Sequence, residues 1–360
     1  MSTAMVDWNV AVKTARKLVK PGPEISMEGA LSAVAELRDA AQRAETYVQQ
    51  VTGLTVPSAT APVLVVDRPG WIQANADAFK TIMEPLNAKA ADRLAGTRGG
   101  AQMQLVSSRV SGAEVGALLS YLAPKILGQF DPFYPGEPGE AGGRLLLVAP
   151  NVVMVERELK LDPADFRLWV CLHEETHRVQ FTAVPWLREY LNDQVEQIVD
   201  TTDLDPGVVL EMIKNAVGKV GEAVRGNQDV SIVDLMQTPA QRETVERITA
   251  VMSLLEGHAD VVMDSVGPDV VPSVETIRAR FNVRRKSQGL DRIVRKLLGL
   301  DAKMRQYRDG AKFCNHVIDA VGMDGFNRVW IGPRTLPTPA EIADPRLWVN
   351  RVHGASPQGS

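Results

Sequence analysis

Apolar residues recur every three or four positions through three long segments, and this spacing predicts helices. The first segment covers residues 26–51 and carries the apolar stripe Leu31, Val34, Leu37 and Ala41. The second covers about 163–181 and the third about 239–266. Each of these two begins with proline directly after Asp162 or Thr238, whose side chains can cap free backbone amides.

Short runs of β-branched residues and leucine predict one small β-sheet. Residues 63–66, 145–148 and 152–155 are such runs and are the strand candidates. Residues 67–70 resemble a turn that closes the first strand, and the glycine- and proline-rich residues 129–143 resemble a loop. The expected fold class is therefore mainly α with one small β-sheet.

The remaining boundaries follow from capping and turn residues. Ser111 and Glu114 have capping-box spacing, so a helix is expected from there to Gly128. From residue 162 onward the chain is expected to be helical, interrupted by turns near 204–207, 226–229 and 267–272. The proline-rich tail beyond Gly332 is expected to be extended.

Composition and cysteine usage are those of an ordinary globular protein in a reducing compartment. Hydrophobic residues make up 45% of the chain and aromatic residues only 5%, which favours helix over a β-sandwich. Cys171 and Cys314 are too far apart in sequence to suggest a disulfide framework. Residues 1–20 lack the apolar core of a secretory signal, and no segment reaches the length of a membrane span. The expected location is the cytoplasm.

One basic segment runs against the net charge of −4. Between Arg278 and Lys296 lie eight basic residues and the single acid Asp291. Such a run can contact phosphate, so a regulatory module that binds nucleic acid is one interpretation. No recognised nucleic-acid motif accompanies it, and a solvated face is the more ordinary interpretation. We therefore expect neither a nucleic-acid nor a membrane partner.

The second predicted helix contains the sequence His-Glu-Glu-Thr-His at residues 173–177. His173 and His177 lie one turn apart on one helix face, so both imidazoles can approach one tetrahedral zinc ion. Glu174 can reach a zinc-bound water without being a ligand, as the general base of the H-E-x-x-H pattern. With only 5 histidines in 360 residues, a chance occurrence has a probability of about one in two hundred. The alternative is a pair of hydrogen-bonded core histidines.

The third predicted helix offers two candidates for a third zinc ligand. Glu256 and His258 are two positions apart, and such side chains point roughly 200° apart on a regular helix. Only one of them can therefore face the metal, and Glu256 is preferred. Asp260, one turn beyond Glu256, can then hydrogen-bond a ligand histidine. Gly257 lowers helix stability by about 1 kcal/mol relative to alanine, which suggests that another backbone approaches it closely.

Other chemistry-bearing residues are weaker candidates. Tyr307 can donate to an oxyanion, although its helical stripe favours core packing, and His258 is the other possible donor. Cys171 lies on the opposite side of its helix from His173 and is expected to be a buried apolar residue. His316 is expected to face solvent.

The chain resembles the zincin-like metallopeptidases that are widespread in actinobacteria and are sometimes encoded near genes for a deazaflavin coenzyme. The resemblance rests on several motifs: residues 68–71, 127–133, 173–181, 254–264, 303–307, 322–330 and 336–348. It implies a zincin-like domain over residues 61–355, preceded by a helical segment at 1–60. It also implies that Glu256 and Asp260 match the ligand-and-partner pattern of the family's second helix, and that Glu174 matches its general base.

The function predicted from these features is that of a zinc-dependent hydrolase, specifically a metallopeptidase acting on a peptide or protein. His173, His177 and Glu256 would hold Zn²⁺, which would activate a water for Glu174 to deprotonate. The alternative is a non-catalytic interaction protein with a structural zinc site. A fourth protein ligand, such as His258 or Cys171, would favour that alternative, because catalytic zinc keeps an open position.

Overall fold

The computed structural model describes residues 5–56, 61–84, 86–87, 100–136, 142–201, 239–287 and 305–354. Five of the helices bounded by described residues, and a three-stranded sheet, lie in the N-terminal half. The helices there are α1 (Trp8–Leu18), α2 (Met27–Thr52), α3 (Arg68–Ile82), α4 (Gly100–Leu122) and α5 (Ala149–Glu158). The helices of the C-terminal half are α6 (Pro163–Ala183), α7 (Trp186–Thr201), α8 (Pro239–Val266), α9 (Val274–Ser287), α10 (Arg305–Phe326), α11 (Pro339–Ala343) and α12 (Pro345–His353).

The sheet contains β1 (Val63–Val66), β2 (Gly128–Asp131) and β3 (Arg144–Val148) in the order β1-β3-β2. The central strand β3 pairs in parallel with β1 and antiparallel with β2. All five residues of β3 are buried, as its leucine-rich sequence requires for a central strand covered on both faces. The prediction of a mainly helical fold with one small sheet is confirmed.

The three helices predicted from apolar periodicity are confirmed as α2, α6 and α8. Their starts have the expected local cause where the cap is described: Asp162 accepts a hydrogen bond of 3.0 Å from the backbone N–H of Asp165, with Pro163 in the first turn. The predicted turn at 267–272 is present after α8, whereas those at 204–207 and 226–229 lie outside the described residues. Leu31 of the predicted stripe is 63% exposed.

One of the three strand predictions is wrong. Residues 63–66 and 145–148 are strand, but residues 152–155 lie inside α5. Pro150 sits in the first turn of that helix, where its missing N–H costs nothing. Because α5 is packed in the core, its valines are buried on several sides. A short apolar run has the same sequence pattern in a buried helix as in a buried strand, so the pattern alone does not distinguish them.

Two predicted boundaries in the N-terminal half also differ. Residues 67–70 begin α3 instead of forming a turn, because the Asp67 side chain accepts a hydrogen bond of 2.7 Å from Gly70 N–H and caps the helix. Ser111 lies inside α4, where its hydroxyl donates to the Ser107 carbonyl at 3.1 Å. The helix therefore starts earlier than predicted and ends at Leu122 instead of Gly128.

The predictions of a loop at 129–143 and of an extended tail are likewise corrected. Residues 129–131 belong to the edge strand β2, which the surrounding glycines and prolines conceal. Beyond Gly332 the chain forms α11 and α12. In both helices a proline occupies the first turn after a capping residue, Thr338 or Asp344, so these prolines start helices instead of preventing them.

Helix α6 packs against α2, α8, β2 and β3, so it lies near the centre of the described structure. Its charged residues on the α2 side are paired. Arg178 is bonded to Glu175 at 2.6 Å and to Glu45 of α2 at 2.8 Å. Arg167 is paired with Glu156 of α5 at 2.7 Å and also with Glu36 of α2. These buried pairs, together with apolar packing, fix the orientation of α6 about its own axis.

No helix in the described part of the chain is long and apolar enough to cross a membrane. Both cysteines are free, as predicted, and both are buried, which was predicted for Cys171.

Helices α8 and α10 approach each other closely at a pair of glycines. A β-carbon added to Gly257 would overlap the backbone of Gly310, and one added to Gly310 would overlap the Ser253 carbonyl. The close backbone approach predicted from Gly257 is thus confirmed.

We expect Gly257→Ala to lower the free energy of unfolding by about 1–3 kcal/mol, because the added methyl group must push two backbones apart. Alanine would otherwise favour a helix by about 1 kcal/mol. Chemical denaturation of the variant measures the change. Gly29→Ala in α2 is the control, since the atoms nearest to its β-carbon would belong to the Ile25 and Ser26 side chains and not to the backbone of another helix. Equal stability of Gly257→Ala and the native protein would contradict the close approach.

Candidate metal centre

Three potential metal ligands converge where α6 faces α8. His173 and His177 project from α6 with their Nε2 atoms 3.2 Å apart and their rings perpendicular. Glu256 reaches them from α8, with carboxylate oxygens 3.6 Å from His173 Nε2 and 3.7 Å from His177 Nε2. All three side chains are partly exposed, so the group opens towards solvent on one side.

The spacing of these atoms fits a tetrahedral zinc ion. Ligand atoms placed about 2.0–2.2 Å from such an ion lie roughly 3.3–3.6 Å from one another. The two Nε2 atoms are 3.2 Å apart, while Glu256 Oε2 lies 3.6 Å from His173 and Glu256 Oε1 lies 3.7 Å from His177, which is close to that range. Two imidazoles and one carboxylate are also a donor set that zinc accepts. The residues present therefore fit the ion in donor type and in approximate spacing.

Glu174 lies next to the three ligands and is covered by the edge strand. Its side chain is only 8% exposed, and a β-carbon added to Gly128 at the start of β2 would lie 2.6 Å from its Cγ. Burial, with smaller contributions from Glu256 and Glu175, raises the pKa of Glu174 to about 8. A carboxyl group with such a pKa can accept and release a proton near neutral pH.

The adjacent Glu175 has a structural role. It is fully buried on the α2 side of α6 and accepts a hydrogen bond from Arg178 Nε at 2.6 Å. The two consecutive glutamates therefore point to different surroundings: Glu174 towards the metal centre and Glu175 into the ion pair with Arg178. This difference follows from the rotation of about 100° per residue along a helix.

His258 does not lie among the metal-facing atoms. It is fully buried on the other side of α8, where its Nδ1 is 3.0 Å from the Gln180 amide nitrogen and its ring packs against Phe326 and Trp330. Burial, and to a smaller extent His177, lowers the pKa of His258 to about 3, so the ring is neutral. The predicted opposition of Glu256 and His258 on α8 is thus what the structure shows.

Comparison with known proteins identifies the family. A family model described as "Zincin-like metallopeptidase" matches residues 6–349. The chain belongs to the zincin-like metallopeptidase family. It is also similar to a solved structure from Chloroflexus aurantiacus, described as a candidate hydrolase with a novel fold, with 30% sequence identity and a TM-score of 0.70. That similarity covers 98% of this chain and 100% of the other. No curated protein matches the chain.

The other residues that the sequence singled out in this zincin-like protein lie outside the group of three candidate ligands. Asp260 is half-buried on α8 one turn beyond Glu256, and its proposed bond to a ligand histidine remains a prediction. The Tyr307 side chain lies outside the described residues. Cys171 is buried on the α2 side of α6, with its Sγ 3.8 Å from the Leu37 carbonyl, and His316 is exposed, both as expected.

Sequence analysis missed Gln180, whose side-chain oxygen lies 3.0 Å from His177 Nδ1. Its position three residues after His177 was a usable signal, since residues i and i+3 share a helix face. Its contact with His258 of α8 joins residues 78 positions apart in sequence. Local residue spacing does not predict a contact of that kind.

The described part of the basic segment is engaged within the protein. Arg278 pairs with Asp264 at 2.5 Å, and Arg284 pairs with Glu158 at 3.1 Å. Arg280 donates to the carbonyls of Leu159 and Lys160, both at 2.8 Å. These contacts attach α9 to the last turn of α8 and to the end of α5, and they favour a structural role for this half of the segment over phosphate binding. Residues 288–296 lie outside the described part.

We expect the purified protein to bind about one zinc ion per chain, and His173→Ala or His177→Ala to lose most of it, because two remaining ligands bind far more weakly than three. Metal analysis after dialysis measures the retained zinc. His316→Ala, which alters an exposed histidine on α10, is the matched control and should retain the native content. Full zinc content in both ligand variants would exclude this centre.

Proposed function

We propose that the protein is a zinc-dependent peptidase that hydrolyses peptide bonds at the centre between α6 and α8. The observation that carries this proposal is the spacing of His173, His177 and Glu256, which suits tetrahedral zinc, with the buried carboxyl of Glu174 beside them. Membership of the zincin-like metallopeptidase family supports the hydrolytic assignment.

The chemistry divides between the ion and the chain. Zinc, when bound, supplies a Lewis acid that polarises a carbonyl group and increases the acidity of water. Glu174 provides the base: its carboxylate accepts a proton from the attacking water and then donates it to the leaving amine nitrogen. The burial of Glu174 under β2 keeps bulk water away from the carboxyl and holds it in one place.

The position of β2 supports an extended peptide as the substrate. Among the described residues β2 forms one edge of the sheet and pairs with β3 alone, so its other side offers backbone groups for strand addition. The strand starts against Glu174 and reaches Phe130, whose ring stacks with that of Phe181 on α6 at 5.4 Å. It therefore runs beside the active-site helix, where a bound peptide would pass the catalytic carboxyl.

A structural zinc site in a non-catalytic interaction protein is the alternative. Such a site would be closed by a fourth protein ligand. Within the described ranges the ligand group contains only His173, His177 and Glu256. His258 and Cys171, the two candidates for a fourth ligand, both lie in other contacts. This arrangement favours the enzyme.

We expect Glu174→Gln to retain zinc but to lower peptide hydrolysis by ~10²-fold or more, because the amide keeps the size of the side chain and cannot act as a base. Glu256→Ala should instead lower zinc affinity. Zinc content and turnover of a peptide library are measured on the same samples. His258→Ala serves as the comparison and should keep its zinc. Unchanged turnover in Glu174→Gln would leave the structural zinc site as the better explanation.

Gly128→Ala tests the contact between β2 and the base. The added methyl group would meet the Glu174 side chain and displace it, so turnover should fall by ~10-fold or more while zinc affinity stays within a factor of about two. Gly332→Ala is the control, since nothing lies within 4 Å of its β-carbon position. Normal turnover in Gly128→Ala would show that Glu174 does not depend on this strand.

A further inference from the structure

Gln180 is a fully buried amide between the two ligand-bearing helices. It lies on α6 one turn beyond His177, and its side chain makes three contacts of 3.0 Å. These are with His177 Nδ1, with the Leu255 carbonyl of α8 and with His258 Nδ1, also of α8. A buried amide whose polar atoms are all engaged is held in one orientation.

The Leu255 carbonyl decides which way this amide points. A carbonyl oxygen can only accept, so the group of Gln180 that faces it must be the NH₂. The Gln180 side-chain oxygen must then face His177. Since that oxygen can only accept, His177 Nδ1 must carry the proton and donate it. Neutral His177 is thereby left with its lone pair on Nε2, the atom that faces His173 and Glu256.

The same amide fixes the second histidine in the opposite tautomer. The remaining N–H of Gln180 points at His258 Nδ1, which must accept it, so the proton of His258 lies on Nε2. His258 Nε2 has no hydrogen-bond partner among the described residues and lies among the rings of Phe326 and Trp330. His258 thus anchors the amide and stays neutral.

We propose that Gln180 is a positioning residue of the metal centre, which holds His177 in the Nδ1–H tautomer with Nε2 directed at the ion and ties this orientation to the backbone of α8. The proposal rests on the assignment of His177 as a metal ligand. The proposal adds that the orientation of His177 on α6 depends on α8, the helix that supplies Glu256.

Zinc affinity of three variants tests the role. Gln180→Leu removes the acceptor for His177 and should lower zinc affinity about 10–100-fold, as loss of such partners does in other zinc sites. Gln180→Glu keeps an acceptor for His177 Nδ1 but cannot donate to Leu255 or His258. It should therefore be less stable than native protein, yet should bind zinc within about 10-fold of it. Competition with a chromophoric chelator gives the affinities, and thermal unfolding gives the stabilities.

Gln194→Leu is the matched control. Gln194 is a buried glutamine on α7 that accepts a hydrogen bond of 3.0 Å from Arg247 of α8, away from the three ligands. This variant loses a buried amide between two helices and should be destabilised, with native zinc affinity. If Gln180→Leu binds zinc as tightly as Gln194→Leu does, or if Gln180→Glu binds no better than Gln180→Leu, the positioning role is wrong.

The tautomers give a second readout that needs neither zinc nor activity. Long-range ¹H–¹⁵N spectra of the metal-free native protein, labelled at its 5 histidines, should show His177 protonated at Nδ1 and His258 at Nε2. The opposite tautomer at His177 would overturn the proposal, even if Gln180→Leu fails to fold. A native protein that binds no zinc but shows these tautomers would refute the proposed function and leave the placement by Gln180 intact.

Discussion

The packing of α8 against α6 determines where the three residues of the candidate metal centre lie. The two histidines come from one helix and Glu256 from the other, so the 3.6–3.7 Å separations exist only while both helices keep their relative position. Gln180 contributes to that position through its contacts with Leu255 and His258. The amide that contacts His177 is thus the same group that joins the two helices.

Helix geometry separates the roles of neighbouring residues on both sides of this interface. On α6 the consecutive Glu174 and Glu175 differ in surroundings. Glu174 lies beneath β2 beside the candidate ligands, and Glu175 forms an ion pair with Arg178. On α8, Glu256 faces the histidines while His258 is buried on the far side. A regular helix in a fixed orientation is therefore sufficient to assign these four roles, and the ion pairs of α6 with α2 maintain that orientation.

The features that depend on local sequence were the predictable ones. The helix from Pro163 and the placement of His173 and His177 on one of its faces follow from period and capping. Glu256 was predicted as their partner because catalytic zinc takes three protein ligands and only one of Glu256 and His258 can face it. By contrast, residues 152–155 have the composition of a strand but lie in a buried helix with Pro150 in its first turn. The role of Gln180 depends on a contact between positions 78 residues apart, and the cover over Glu174 comes from a strand hidden among glycines and prolines. Such contacts are set by tertiary packing and leave no periodic trace.

The glycine pair between α8 and α10 places a packing constraint next to the candidate ligand Glu256. Gly257 adjoins Glu256 in sequence and lies against the backbone of α10, whereas Glu256 faces the two imidazoles on α6. A methyl group at position 257 would overlap the backbone of Gly310, so α8 would have to move relative to α10. Such a movement would also displace the carboxylate of Glu256. A helix whose described side chains are not among the three candidate ligands thus limits where one of those ligands can lie.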